Sequence, residues 1–190
     1  MKGEAKLIII TAPSGAGKTS ITRYLLKKFP QLAFSVSATT RPRRDYEKNG
    51  IDYYFVSTED FQQKIQHGEF VEWEMVYEGK YYGTLKSELL RIWGQGQIPM
   101  LDIDVKGAIH VQQQYPGSNL AIFIEPPSID ELKRRLQSRG TESSETLLDR
   151  VNKASYELSF KQHFKQLIFK DDLEKASKKA SQLVEEFLAR

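Results

Sequence analysis

The residues best equipped for chemistry come early in the chain. Ala12-Pro13-Ser14-Gly15-Ala16-Gly17-Lys18-Thr19-Ser20 follows the apolar run Leu7-Ile8-Ile9-Ile10 and precedes a pattern with Ile21, Leu25 and Leu26 on one helical side. Strand, glycine loop, Lys, Thr and helix, in that order, make a phosphate loop. Glycines let successive backbone N–H groups turn inward on an anion, and the helix start adds the positive end of its dipole. Lys18 would reach the terminal phosphates, and Thr19 would offer a hydroxyl to Mg²⁺. The strict pattern has Gly where this chain has Ala12. Gly15 and Gly17 keep the tightest part of the turn, and the flanking strand and helix argue against a plain solvated loop.

A second source of charge is Ile98-Pro99-Met100-Leu101-Asp102-Ile103-Asp104, where a strand period of two puts both acids on one face. Carboxylates at a strand's C-terminal end stand where α/β sheets bind ligands. Asp102 is placed to hold Mg²⁺, through water or directly, and Asp104 to face either the metal or an acceptor. Three arginines, Arg41, Arg43 and Arg44, crowd a Pro-interrupted loop and form a fork-rich cluster suited to a phosphate dianion. Arg134, Arg135, Arg139 and Arg150 gather around Gly140. Arg135 and Arg139 are four apart, where like charges repel unless an anion lies between them. The plain alternative for Arg135 is a surface pair with Glu131.

These stretches, with Asn49-Gly50-Ile51-Asp52-Tyr53, Phe70-Val71-Glu72-Trp73, Tyr81-Tyr82-Gly83-Thr84, Gly107 and Pro126-Pro127-Ser128, cover nearly the whole chain and resemble guanylate kinases. The resemblance implies a loop from Ala12 to Ser20 that binds ATP and an acceptor site for guanosine monophosphate (GMP). At that site Arg41, Arg44, Tyr53 and Tyr82 would hold the phosphate, and Ser37, Glu72, Thr84 and Asp104 would read the base. It further implies a lid whose Arg135, Arg139 and Arg150 act in catalysis with Lys18. The chemistry of Glu72 agrees independently: guanine presents N1–H and N2–H₂ side by side, and one carboxylate accepts from both. Adenine turns an acceptor toward the same group, a mismatch that a buried site rejects by ~10⁴-fold or more. Thr84 replaces a Ser found in some members but keeps the hydroxyl for guanine O6. Lys170, in Ile168-Phe169-Lys170-Asp171-Asp172, stands where the family often has Asn near the donor base. A lysine offers only donors there, which predicts ATP as the usual donor without strict base selectivity.

Positioning these groups takes an α/β chain. Lys6 to Ala12, Leu32 to Ser37, Ile98 to Asp104, Asn119 to Ile124 and Gln166 to Phe169 read as buried strands of a parallel sheet. Helices are predicted at Lys18 to Lys28, Lys106 to Tyr115, Ser128 to Ser138 and Ser143 to Phe160, with Ser128 and Glu131 as a capping box. A last helix carries Leu173, Ala176, Ala180, Leu183, Val184, Phe187 and Leu188 on one face. The aromatic-rich stretch from Thr39 to Gly83 reads as a small, mostly antiparallel insertion with one helix, Thr58 to His67. The expected architecture is a P-loop three-layer fold in one domain over 1–190. Its core would be 1–36, 89–129 and 151–190, its acceptor region 37–88 and its helical lid 130–150.

The 190 residues suffice for one sizeable core. A net charge of +3 is too thin for coating nucleic acid, so any important basic site must be local. No cysteine is present, which excludes disulfides, thiol catalysis and Cys-ligated zinc and fits a reducing cytoplasm. The apolar run at Leu7 is too short for a signal-peptide core or a span, so neither export nor a membrane partner is expected. ATP and GMP are the implied partners, Mg²⁺ the implied cofactor, purine nucleotide metabolism the setting, and no obligate protein partner follows. The acceptor phosphate, with a second pKa of about 6, is largely a dianion near neutrality and needs no general base. His67, His110 and His163 accordingly fall in no motif. A phosphopeptide-binding relative of the same fold is the rival from another class, but such modules typically lose the phosphate loop that is intact here. A kinase for another nucleoside monophosphate is the rival among enzymes, against which Glu72 and Thr84 argue.

Overall fold

The structure, a computed structural model, describes residues 5–138 and 144–190. It opens with β1 (Leu7–Thr11), α1 (Lys18–Lys28) and β2 (Leu32–Phe34). The insertion follows as β3 (Ala38–Thr39), β4 (Tyr54–Phe55), α2 (Thr58–Gln66), β5 (Phe70–Tyr77) and β6 (Lys80–Leu85). The chain then returns to the core through α3 (Lys86–Gly94), β7 (Ile98–Asp102), α4 (Val105–Gln114) and β8 (Asn119–Glu125). It ends with α5 (Ile129–Ser138), α6 (Ser144–Leu158), β9 (Gln166–Phe169) and α7 (Leu173–Leu188).

The main sheet has the order β2-β7-β1-β8-β9, parallel throughout. β1 lies at its centre with all five residues buried, which is why its sequence is apolar without alternation. Both faces are used. Ile8 and Ile10 pack with Ile21 and Leu25 of α1 and Ala180 and Val184 of α7, whereas Leu7 and Ile9 pack with Leu101, Val105 and Phe123. The apolar stripe predicted for the last helix is therefore the cover of one face from Ala176 onward, while Leu173 at the helix start is exposed.

The second sheet, β4-β3-β6-β5, is mixed, because β3 and β4 run parallel while β6 is antiparallel to both β3 and β5. Its small core stacks Phe61 of α2 on Phe70 of β5, ring centroids 4.4 Å apart. Three expectations need correction. The second strand ends at Phe34, not Ser37, as the chain leaves for the insertion. The strand toward Asp104 ends at Asp102, because Asp104 is the N-cap of α4, its Oδ1 accepting from Lys106 N and Gly107 N at 2.9 and 3.1 Å. Helix α3 was not anticipated; Leu85, at its N-cap, makes no side-chain cap bond that would announce it. Of the expected capping box, Ser128 Oγ accepts from Glu131 N at 3.0 Å. No helix among the described residues is long and apolar enough to cross a membrane.

Candidate active site

The C-terminal ends of β1 and β7 open into a cleft of about 530 Å³ whose far wall is the second sheet. Ala12, Ser14, Lys18, Thr19 and Asp102 line its core side, and Ser37, Tyr53, Glu72, Tyr82 and Asp104 its opposite side. One cavity thus joins residues that the sequence assigned to two nucleotides. The core-side group comes from the ends of β1 and β7 and the loop after β1, the position where open α/β sheets bind ligands, whereas Glu72 and Tyr82 project from within β5 and β6 of the second sheet.

On the core side, Gly15 and Gly17 both have φ +86, the left-handed region that glycine enters without a Cβ penalty. With Pro13 and Ala16, whose N–H donates to Pro13 O at 3.1 Å, they make the tight turn into α1. Ser20 is exposed on the first turn of α1. Lys18 Nζ lies 3.4 Å from Asp102 Oδ1. Burial works against its charge, but Asp102 and Glu157 outweigh that and hold the ammonium above its ordinary pKa. Asp102 Oδ2 also accepts from Thr22 Oγ1 at 3.5 Å.

On the acceptor side, Glu72 is buried and accepts from Thr84 Oγ1 at 2.6 Å. Burial, then the charge of Asp104, pushes its pKa up to about 8, with the Thr84 hydrogen bond opposing. Thr84 has a single hydroxyl proton, and Glu72 receives it here. The arginine loop is organised by an acid that the sequence reading passed over. Buried Glu47 takes a bidentate pair from Arg41, at 2.7 and 2.5 Å, and the backbone N–H of Arg44 at 2.9 Å. The Arg41 hydrogen bonds hold the Glu47 carboxyl down to about 2 against the effect of burial. Arg44 Nη1 lies 3.9 Å from the same carboxylate. Arg41 also sits over the Tyr53 ring, 4.9 Å from its centroid, and Tyr53 meets Tyr82 edge to face at 6.0 Å.

Helix α6 closes the remaining side. Arg150 lies over the Tyr77 ring at 5.8 Å, and Lys153 donates to Val76 O at 2.7 Å. One turn further along, Glu157 accepts from Ser14 N of the phosphate loop at 3.1 Å. Burial lowers the Lys153 pKa and raises that of Glu157, each partly offset by the other. Neither was singled out from the sequence, because opposite charges at i, i+4 are ordinary on a solvated helix face. Glu131 pairs with Arg134. Arg139 and the side chain of Arg135 lie outside the described residues. Lys170 is buried and donates to Ala16 O and Gly17 O at the base of the phosphate loop.

Known proteins agree with this arrangement. A family model for guanylate kinase matches residues 4–187. A guanylate kinase of Bacteroides fragilis is 47% identical over 186 residues, covering 98% of this chain and 91% of its own. One from Porphyromonas gingivalis is also 47% identical, covering 97% and 99% respectively. The crystal structure of guanylate kinase from Anaplasma phagocytophilum superposes with a TM-score of 0.78 at 29% identity, covering 98% of this chain and 87% of that one. With a likeness that runs almost from end to end in sequence and in fold, the chain belongs to the guanylate kinase family.

Proposed function

We propose that the chain transfers the γ-phosphoryl of ATP to GMP, giving ADP and GDP, with the donor on the Lys18 side of the cleft and the acceptor against the second sheet. The observation that carries this reading is the single cavity lined by both Lys18 and Glu72. It sets an anion-binding loop opposite a buried carboxylate able to accept two guanine donors. In this reading Arg41 and Arg44 bind the acceptor phosphate, Tyr53 and Tyr82 orient it, and Ser37, Thr84 and Asp104 assist Glu72. Lys18 and the lid residues Arg135, Arg139 and Arg150 spread the charge of the moving phosphoryl group, so catalysis rests on positioning and electrostatics. We keep 37–88 as the acceptor region, 130–150 as the lid and the rest of the chain as its core.

Thr19 and Asp102 would hold Mg²⁺. Among the described residues no group of three or more His, Cys, Asp or Glu is arranged for a metal. One hydroxyl and one carboxylate suit an ion that keeps most of its ligands as water and nucleotide phosphates. When bound, Mg²⁺ supplies charge neutralisation on the phosphate oxygens. The proposed compartment is the cytoplasm, which suits a chain without cysteine. The test is ADP formation from Mg-ATP with each of the four ribonucleoside monophosphates. GMP should exceed the others in kcat/KM by orders of magnitude, and comparable use of AMP would overturn the assignment of Glu72.

A further inference from the structure

The base of the phosphate loop holds a cation to which the reaction scheme gives no role. Lys170 follows β9 at the edge of the main sheet, its backbone N–H donating to Glu125 O at 2.8 Å. Only 7% of the residue is exposed. The side chain runs to the loop, where Nζ donates to Ala16 O at 3.2 Å and to Gly17 O at 3.1 Å. A Cβ at Gly17 would stand in the space that the ammonium occupies, so any side chain there would displace Lys170, and the φ of +86 favours glycine at this position independently.

Peptide geometry gives this contact a consequence. In a planar trans peptide the C=O of one residue and the N–H of the next point in opposite directions. Holding Ala16 O therefore fixes the N–H of Gly17, and holding Gly17 O fixes the N–H of Lys18. Both N–H groups then point away from Lys170. They belong to the turn and the first helical residue of the phosphate loop, where such groups cradle phosphate. A cation at this end of α1 also faces the positive end of the helix dipole, an unfavourable place unless carbonyl oxygens meet it. Both oxygens are supplied by the loop itself.

We propose that Lys170 is a positioning residue for the donor phosphates, pinning two loop carbonyls so that the Gly17 and Lys18 amides are aimed at the triphosphate before it arrives. This rests on the reading of the loop as the ATP site. It replaces the expectation that position 170 bears on the donor base.

Calorimetric titration of Lys170→Met and Lys170→Asn with ATP, GTP and inorganic tripolyphosphate tests the proposal, with GMP titrated as an internal control. All three triphosphates should weaken by a common factor of about tenfold, the loss expected for charge-assisted hydrogen bonds. The ATP to GTP ratio should stay as in the unsubstituted protein, and GMP affinity should hold within about twofold, well below the effect on triphosphates. Tripolyphosphate binding weakened by less than about threefold would overturn the proposal, as would a shift in the ATP to GTP ratio. Equal weakening of GMP and tripolyphosphate would also overturn it, because the ammonium would then support the fold at large. If GMP is not the acceptor, the unsubstituted protein will not bind it, while the tripolyphosphate comparison still decides the role of Lys170.

Discussion

Glu72 and Gly107 interlock. A Cβ on Gly107 would stand 3.0 Å from Glu72 Cδ, with Oε2 closer still, so the buried carboxylate occupies the space that a side chain at 107 would fill. Gly107 lies in the first turn of α4, and its N–H is already taken by Asp104. Alanine there favours the helix by up to about 1 kcal/mol but drives Glu72 off its seat. Gly107→Ala should lower kcat/KM for GMP by about tenfold or more, an overpacking cost of 1–3 kcal/mol. Tripolyphosphate affinity should not change, which calorimetry on the same protein will check.

Glu72→Gln should narrow the gap between GMP and AMP, since an amide cannot accept from both guanine donors. The ratio of the two kcat/KM values measures this, and an unchanged ratio would exclude Glu72 as the reader. The same variant should be more stable than the parent, in a pH-dependent way. The unfolded carboxyl ionises near pH ~4.3, whereas burial keeps the folded one protonated up to about 8. Parent stability therefore falls relative to the variant as pH rises through that window, and Tm differences at pH 5, 7 and 9 should widen and then level off.

A carboxyl that titrates near pH 8 must lose its proton to accept from guanine. Below that pH, binding should release protons, and affinity should rise with pH and flatten above about 8. Guanosine, which has no phosphate to titrate, isolates the effect. Calorimetry in two buffers of different ionisation enthalpy counts the protons; none released at pH 6.5 would contradict the raised pKa.

Glu47 fixes the direction of Arg41. Glu47→Gln should raise the KM for GMP by about tenfold with little change in kcat, as binding common to ground and transition states is lost. Its carboxyl is held down to about 2, so its contribution to stability is present above the ordinary carboxylate range and lost as pH falls toward 2. Acid unfolding of parent and variant should accordingly converge at low pH.

Lys18→Ala should lower kcat by about three orders of magnitude, since Lys18 acts on the transferring phosphates. GMP should still bind at its own site. Near-normal turnover in the folded variant would remove Lys18 from the mechanism.

Much of this was legible in residue types. Helix α1 and strand β9 have the bounds that their apolar pattern and glycine turn foretold. Asp104 misled because alternation runs through it, although its short side chain caps the next helix instead. Glu47 belongs to no motif, and nothing local in the sequence says that the loop folds back to bury it. Lys170 stood out by its departure from the family pattern, but its contact with the phosphate loop was not legible: its partners are carbonyls 153 and 154 residues away, and only the sheet order that places β9 beside β8 brings them together.

Helix α6 touches the phosphate loop through Glu157 and the second sheet through Lys153, four residues apart on one rigid rod. Any coupling that a body leaning on both binding places carries between their occupancies is, by thermodynamics, a single constant. Whatever factor ATP applies to the affinity for GMP, GMP applies to the affinity for ATP. The order in which the two nucleotides arrive leaves the free energy of the ternary complex unchanged.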